Sequence, residues 1–308
     1  RVDRRQRQMC IRDSYSTAAI YYEYRKDISK KSNVNIGMRF TDTRLRAKWN
    51  DENIINANIA NVHAQNSSIT SSFGYVFRAE KNWKISGNFS SGFRSPNIDD
   101  IGKIREQKGV LSVPNSSLKP EYAYNTEIGL SKSSVNKQNA FSVNAYYTHI
   151  SKHITRDYFE INQDTSTSDP STIIFNSEEV VTMANVNKGN AYIYGATFGF
   201  KLSKSNFWGF KGNITYTQGG SVDSDHPLPS ISPLFGHITF RYIINSSSDL
   251  ELSYRFSSSK NPDKYSIGGE DGLEETPIIF DGIDFTYNGM PSWNCLLYTS
   301  DAADDLLC

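Results

Sequence analysis

Cysteine is missing from the whole central part of this 308-residue sequence. The three cysteines are Cys10, Cys295 and Cys308, so residues 15–294 have no disulfide, no thiolate nucleophile and no cysteine-based metal site. Net charge is also absent, because 33 basic residues balance 33 acidic ones. A neutral chain has no bulk electrostatic reason to bind nucleic acid, and we expect no nucleic-acid partner.

Long hydrophobic runs are lacking as well. No stretch approaches the roughly 18 consecutive apolar residues of a membrane helix, and the N-terminus has no apolar core like that of a secretory signal. Any membrane-spanning interpretation must therefore use strands. Hydrophobic content is only 37%, yet aromatic residues reach 13%, and such aromatic content argues against a disordered chain.

The two ends of the sequence differ from the rest. Residues 1–14 and 295–308 resemble translated adapter sequence, and they hold all three cysteines. We therefore expect both tails to be non-native and residues 15–294 to form the native unit. The alternative is a pair of natural termini that carry free thiols.

Apolar and polar residues alternate in segments about ten residues long, which is the pattern of half-buried β-strands. In one segment every second residue is apolar or aromatic, namely Tyr192, Tyr194, Ala196, Phe198, Phe200 and Leu202. The pattern predicts about eleven strands, near 15–24, 34–42, 73–79, 85–93, 123–131, 141–147, 192–202, 208–216, 238–244, 250–256 and 287–294. The first two, the fifth and the last fit less cleanly, and Ala18 to Tyr24 is also compatible with a helix.

The connections between these strands alternate in length. Short connections lie near 25–33, 80–83, 132–138, 203–206 and 245–249, and long ones near 43–66, 95–122, 151–190, 218–235 and 257–286. One end of the sheet therefore has tight turns and the other has large loops, as in bacterial outer-membrane barrels. A soluble all-β domain is the alternative, but loops beyond roughly 12–15 residues are uncommon in compact domains.

The sequence thus predicts an all-β fold, an antiparallel transmembrane β-barrel with its apolar face toward outer-membrane lipid. In this arrangement Phe198 and Phe240 face lipid. Thr197 and Thr239 face inward, where an arginine should be tolerated better.

Two short motifs flank the long 95–122 connection. Phe93-Arg94-Ser95-Pro96 ends one predicted strand, and Asn115-Ser116-Ser117-Leu118-Lys119-Pro120-Glu121 precedes the next. Together they resemble the paired FRAP and NPNLKPE boxes of TonB-dependent outer-membrane receptors, with serines replacing the usual Ala of the first box and Pro-Asn of the second. Tyr124 to Leu130 and Tyr194-Gly195 are similar to later family segments, although Thr197 stands where an acidic residue is frequent.

The resemblance implies the C-terminal part of the β-barrel of a receptor in the outer membrane of a Gram-negative bacterium. It implies TonB-dependent active uptake of a scarce solute such as a ferric siderophore, with no enzymatic activity and no cofactor. The complete barrel would have about 22 strands, and the TonB energy-transducing complex would act through an N-terminal plug.

The sequence shows no plug domain, no TonB box and no closing terminal strand, and we expect it to be a fragment. A passive porin or structural barrel is the alternative function. A soluble all-β binding domain is a further alternative.

Candidate site residues follow from the motifs and the loops. The family-motif residues are expected to fix loop bases at the barrel rim rather than to touch ligand; they are Phe93, Arg94, Pro96, Asn115, Leu118, Lys119, Pro120 and Glu121. The loop end also carries mixed charges and aromatics that suit capture of a polar, partly aromatic solute; these are Arg94, Asp99, Asp100, Lys103, Arg105, Tyr158 and Phe159. The ligand-binding residues themselves are not assigned.

Histidines give little support for a metal or haem site. His149 and His153 are four residues apart, a spacing that aligns side chains on a helix rather than on a strand. His226 beside Asp223 and Asp225 fits a solvated loop cluster. Haem receptors of the resembled family carry a histidine between the two boxes, and residues 97–114 contain none, so the resemblance disfavours haem uptake.

Overall fold

The computed structural model describes residues 11–49, 61–102, 104–107, 109–160, 171–175, 177–204, 207–223, 228, 231, 234–258, 280–288 and 294–300. The strands are β1 Ile11–Ser29, β2 Ser32–Trp49, β3 Asn61–Arg78, β4 Trp83–Arg94, β5 Arg105–Gln107, β6 Val110–Ser112, β7 Glu121–Ser133, β8 Ala140–Ser151, β9 Ile154–Tyr158, β10 Thr172–Phe175, β11 Glu178–Asn187, β12 Asn190–Lys204, β13 Trp208–Ser221, β14 Leu234–Asn245, β15 Ser248–Ser257, β16 Phe280–Asn288 and β17 Asn294–Ser300. One short helix, α1 Ile98–Gly102, and a 3₁₀ turn at Glu80–Asn82 complete the described elements. Among the described residues, no helix is long and apolar enough to cross a membrane.

Twelve of the described strands form one antiparallel sheet. Their spatial order is β1-β2-β3-β4-β7-β8-β12-β13-β14-β15-β16-β17, so each strand pairs with the next large strand along the chain. The predicted all-β antiparallel architecture is confirmed. Residues 18–24 belong to β1, which settles the alternative between strand and helix in favour of strand.

The first ten predicted strands match ten strands of this sheet. The eleventh, near 287–294, instead covers the end of β16 and the first residue of β17, and residues 289–293 lie outside the described part. The described sheet therefore has twelve strands where the pattern predicted about eleven. β2 and β3 also extend to Trp49 and Asn61, well into the predicted 43–66 loop.

Residues of both predicted tails take part in the sheet. Ile11 to Ser14 pair with Arg46 to Trp49 along β1 and β2. At the other end, Cys295 to Ser300 belong to β17 and pair with β16. The assignment of the two tails as non-native stays a prediction.

Strand register places the apolar and polar residues on opposite faces of the sheet. Phe198 of β12 lies opposite Val143 on β8 and Ile214 on β13. Its neighbour Thr197 lies opposite Asn144 and Thr215. We call the face with Phe198 outward and the face with Thr197 inward.

Aromatic residues border the outward face at both ends. Toward the long loops these are Tyr124, Tyr147, Tyr194 and Tyr216, and toward the short turns they are Trp83, Trp208 and Tyr242. An apolar band between two aromatic girdles is the surface that a lipid bilayer requires of a transmembrane barrel.

Gly195 makes room for a tyrosine on the inward face. A Cβ at Gly195 would lie 2.7 Å from Tyr146 Oη and 2.5 Å from the Tyr216 carbonyl oxygen. The Tyr146 hydroxyl is 3.0 Å from Thr217 Oγ1 on the next strand. Glycine is needed here because the Tyr146 side chain crosses β12 to reach β13.

Candidate functional site

Two of the long connections predicted as loops, 95–122 and 151–190, contribute strands to a second sheet. β11 is its central strand and pairs antiparallel with β10 and with β9 on one side. On its other side β11 pairs in parallel with β6, which also pairs with β5. The sequence pattern predicted no strands in 95–122 and 151–190, and the structure has five there. We call these five strands with α1 the loop layer.

The loop layer has its own hydrophobic core. Its buried members are Leu45, Ile101, Ile104, Leu111, Val113, Leu118, Ile154, Val180 and Ala184. Of these residues, Leu45 alone comes from the large sheet. It belongs to β2 and lies on the inward face with only 2% of its surface exposed. The core thus joins the loop layer to the inward side of the large sheet, and burial of these side chains stabilises both.

The residues of the first box attach α1 of the loop layer to the end of β4. Arg94 at the end of β4 forms an ion pair with Asp100 of α1 at 2.6 Å. Asn97 and Asp100 each accept a hydrogen bond from the other's backbone N–H, which fixes the start of α1. Pro96 is fully buried, and Phe93 packs against Tyr122 with ring centroids 5.7 Å apart.

The second box residues hold the loop layer to the strand that follows. The Asn115 amide donates to the Asn185 carbonyl of β11 at 2.8 Å, and its oxygen accepts from the Ser117 N–H. Leu118 is buried in the core of the loop layer. Lys119 is held by its backbone, since its N–H donates to Asn187 Oδ1 at 2.7 Å and its carbonyl accepts from Asn187 Nδ2 at 2.9 Å.

Glu121 links the second box to β9 at the rim of the large sheet. Its carboxylate accepts hydrogen bonds from His153 Nδ1 at 3.1 Å and from the Ile154 N–H at 2.8 Å. Burial alone would raise the pKa of Glu121, but these two hydrogen bonds outweigh it and hold the pKa below its usual value. Glu121 is the first residue of β7, on the loop side of the Tyr124 girdle and thus outside the apolar band.

The structure brings the two boxes together. Arg94 and Glu121 are register partners on β4 and β7, and Phe93 and Tyr122 are partners one residue further along. Pro120 directly precedes this pairing. The boxes therefore close the base of the loop layer, and their expected role in fixing loops at the rim stays a prediction.

The other candidate residues of the loop end have mixed environments. Tyr158 is 67% exposed at the end of β9, whereas Phe159 packs partly against the loop-layer core. Asp99 lies on α1 and Arg105 on β5. Lys103 lies outside the described residues.

Three residues that hold the loop layer were not predicted from the sequence. Asn187 donates to the Lys152 carbonyl as well as bonding both sides of Lys119, and Asn185 donates to the Asp100 carbonyl. Arg156, which is half-buried, donates to Ser112 Oγ at 2.8 Å. Each of these bonds joins residues 35 to 85 positions apart in the sequence, and no local sequence pattern can predict such pairings.

The histidines that the structure describes are not arranged as metal ligands. His149 lies on the outward face between Tyr124 and Tyr192, whereas His153 is bonded to Glu121. Asp223 accepts a hydrogen bond from the Asn190 N–H, and Asp225 and His226 lie outside the described residues. Within the described ranges, no group of three or more His, Cys, Asp or Glu side chains could hold a metal ion.

Comparison with known proteins gives a consistent result. A sequence model of the TonB dependent receptor-like β-barrel matches residues 11–277. A curated relative, the probable hemoglobin and hemoglobin-haptoglobin-binding protein 4 of Haemophilus influenzae, is 24% identical over 225 residues, which cover 70% of this chain and 22% of that protein.

Solved structures share the fold. The copper transporter OprC superposes with a TM-score of 0.68 at 16% identity, over 90% of this chain and 40% of that one. The ferric-catecholate import receptor Fiu from E. coli K12 gives 0.65 at 14% identity, over 96% and 41%. The siderophore receptor PiuA from Acinetobacter baumannii gives 0.62 at 15% identity, over 90% and 37%. This chain thus spans less than half the length of each protein compared here.

Proposed function

This chain belongs to the TonB-dependent receptor-like β-barrel family, and on that premise we propose that it is the C-terminal part of the barrel of a longer outer-membrane receptor. The complete receptor imports a scarce small solute, a ferric siderophore or a similar compound, across the outer membrane of a Gram-negative bacterium. TonB supplies the energy through an N-terminal plug domain of the complete receptor. Fiu and PiuA, whose folds this chain shares, are both named as receptors for such compounds.

The loop layer is the observation that carries this proposal. Its strands and its core hold a defined surface at the long-loop end of the sheet. Ligands are usually bound by loops that a rigid scaffold positions, and the strands below provide that scaffold. A passive pore has no need of a loop surface fixed by its own hydrophobic core.

The exposed face of the loop layer has the chemistry for a polar, partly aromatic solute. Alternation along β11 buries Val180, Thr182 and Ala184 and turns Met183 to the other face. Met183 is a register partner of both Tyr158 and Ser112, and Ser112 is the partner of Arg105. Two arginines, Arg105 and Arg156, therefore flank Ser112 beside an exposed tyrosine, which favours an anionic or aromatic ligand.

The Haemophilus relative suggests haemoglobin as a second candidate ligand. Residues 97–114 contain no histidine that could ligate haem iron, and this part of the chain includes α1, β5 and β6 of the loop layer. We therefore rank a siderophore-like solute first. Binding assays with a ferric siderophore panel and with haemoglobin, on the same purified receptor, separate the two candidates.

Uptake in the presence and absence of TonB tests the proposal. Cells that express the complete receptor should accumulate iron from a labelled ferric siderophore, and deletion of TonB should abolish the accumulation. A passive porin would conduct equally in both strains. Equal uptake without TonB would therefore contradict active import and favour the porin.

A loop deletion separates ligand capture from assembly. Residues 162–169 connect β9 to β10 and lie outside the described residues, whereas Thr172–Phe175 pairs with β11 and cannot be removed without loss of a strand. The deletion of 162–169 should weaken ligand binding and leave heat-modifiable gel mobility unchanged. Unchanged binding would show that this connection has no part in capture.

A further inference from the structure

Beyond its apolar band, the outward face of β2 and β3 carries a basic patch. On β2 the outward residues Ile36, Met38 and Phe40 are exposed and apolar, and the next outward residues toward the long-loop end are Asp42, Arg44 and Arg46. On β3 the register partners of these three are Ser67, Gln65 and His63. We call these six residues the β2–β3 patch.

Hydrogen bonds fix the centre of the patch. The Asp42 carboxylate accepts from Arg44 Nε at 3.0 Å, from Gln65 Nε2 at 3.0 Å and from Ser67 Oγ at 2.7 Å. Arg44 thus bonds to Asp42 through Nε, and its side chain remains 60% exposed. The patch thus contains two arginines and one carboxylate, and Arg46 has no ion-pair partner among the described residues.

The depth of the patch relative to the bilayer follows from strand geometry. Phe40 is the last apolar outward residue of β2, so it marks the edge of the apolar band. Arg44 is four residues beyond it, which is about 13 Å along a strand and about 9 Å along the membrane normal at a tilt near 45°. The polar region of one leaflet is roughly 5–7 Å thick. A long arginine side chain can reach back toward the membrane, so Arg44 and Arg46 lie at or just above the depth of lipid headgroups.

The opposite face of the same strand segment is already occupied. Thr43 and Leu45 alternate with the patch residues and are buried on the inward face, where Leu45 joins the core of the loop layer. The segment is therefore held in place, and its outward side is exposed. On the outside of a membrane barrel, at headgroup depth, the molecules in contact with this side are lipids.

We propose that the β2–β3 patch binds the phosphate groups of an anionic lipid in the outer leaflet. Arginine forks pair well with phosphate oxygens, and the apolar band below Asp42 receives the acyl chains of the same lipid. The bound lipid would stabilise the long-loop ends of β2 and β3. Because Leu45 of β2 belongs to the loop-layer core, it would also stabilise the loop layer. The inference rests on the proposed location of the receptor in the outer membrane and not on the identity of its solute.

Lipid retention by the purified complete receptor tests this inference. The double variant Arg44→Gln with Arg46→Gln removes both guanidinium groups, while Asp42 keeps its bonds from Gln65 and Ser67. The matched control is Arg39→Gln, on the same strand but on the inward face. Binding of diphosphoryl lipid A and of phosphatidylcholine is measured by native mass spectrometry, and heat-modifiable mobility monitors assembly.

The expected result is specific for the anionic lipid. Each arginine near an anionic membrane surface contributes about 1 kcal/mol to binding, so the double variant should bind diphosphoryl lipid A roughly 20- to 30-fold more weakly than the wild type. The Arg39→Gln control should bind it normally. Phosphatidylcholine binding should not change. Equal loss in both variants, unchanged binding in the double variant, or full displacement of the lipid by inorganic phosphate would overturn the inference.

The same experiment distinguishes this inference from the proposed function. A receptor that assembles in the outer membrane but does not retain the anionic lipid would refute the patch alone. A receptor that never reaches the outer membrane would refute both.

Discussion

Phe198 lies in the middle of the outward apolar band, and its replacement by arginine tests the membrane assignment directly. Its side chain is 41% exposed and stacks against Phe141, with ring centroids 6.4 Å apart. Along β12, three apolar or aromatic outward residues, Tyr192, Tyr194 and Ala196, precede it, and two, Phe200 and Leu202, follow it. We therefore expect Phe198 to lie near the bilayer midplane.

The expected cost of Phe198→Arg is large. An arginine on the lipid face of a barrel near the midplane destabilises it by about 2–4 kcal/mol, which is a roughly 30- to 900-fold change in the folding equilibrium. The adjacent Thr197 faces inward, where its hydroxyl is 3.0 Å from Thr215 Oγ1. Thr197→Arg loses that hydrogen bond, at about 0.5–1.5 kcal/mol, and desolvates no charge in lipid.

Urea unfolding of the complete receptor in lipid vesicles provides the measurement, with Thr197→Arg as the matched control. Thr239, the second inward position at which the sequence analysis expected an arginine to be tolerated, is unsuitable because it is 1% exposed and hydrogen-bonded to Ser253, so an arginine there would disrupt packing. The burial of Thr239 therefore argues against the expected tolerance of an arginine there. Equal costs for Phe198→Arg and Thr197→Arg would refute the assignment of the outward face to lipid.

Three further predictions concern the loop layer and the inward face. Leu111→Ala, at a fully buried site, should lower the free energy of unfolding by about 2–5 kcal/mol and speed proteolysis within the loop layer. Ile174→Ala, at a position 49% exposed, should do neither. Equal protease sensitivity of the two variants would contradict the loop-layer core. Gly195→Ala should destabilise the sheet by about 1–3 kcal/mol through overpacking, measured by urea unfolding, whereas Gly87→Ala, where a Cβ would meet nothing within 4 Å, should be close to neutral. Because the pKa of Glu121 is held below its usual value, its contribution to stability is complete above the unfolded-state pKa of about 4.3 and is lost as pH falls through the folded-state pKa. Protease resistance of the loop layer should accordingly drop in that acidic range, and Glu121→Gln should remove this part of the pH dependence; an identical acid profile for both proteins would exclude the Glu121 contact as its cause.

Part of the candidate site could be predicted, because short motifs mark it. Arg94, Asn115 and Glu121 stand out in the sequence by their place beside Pro96 and Pro120, and the structure places all three at the base of the loop layer. Their partners could not be predicted. Asn185 and Asn187 are surrounded by residues of an ordinary strand, and their bonds to Asp100 and Lys119 exist only because β11 lies beside β6.

The extent of β2 and β3 shows where the alternation signal ends. From Val34 to Phe40 on β2 and from Phe77 to Ile69 on β3 the outward residues are apolar apart from Ser71, and the pattern identifies the strands. Beyond them the outward residues are polar, as in Arg44 and Gln65, and the apolar residues that alternate with them, such as Leu45 and Ala64, lie on the inward face. The strands continue because their backbones still pair, although the apolar side of the alternation has changed from the outward to the inward face.

The sequence by itself determined the all-β class, the faces of the strands and the end of the sheet that carries the long loops. These properties are local, since side chains alternate along every strand and lipid demands one continuous apolar face. Only the tertiary structure decided that β5, β6, β9, β10 and β11 form a second sheet and that Leu45 joins its core. The parallel pairing of Val110 with Val181 closes a separation of 71 residues, and such a contact depends on the large sheet first bringing the bases of the two loops together.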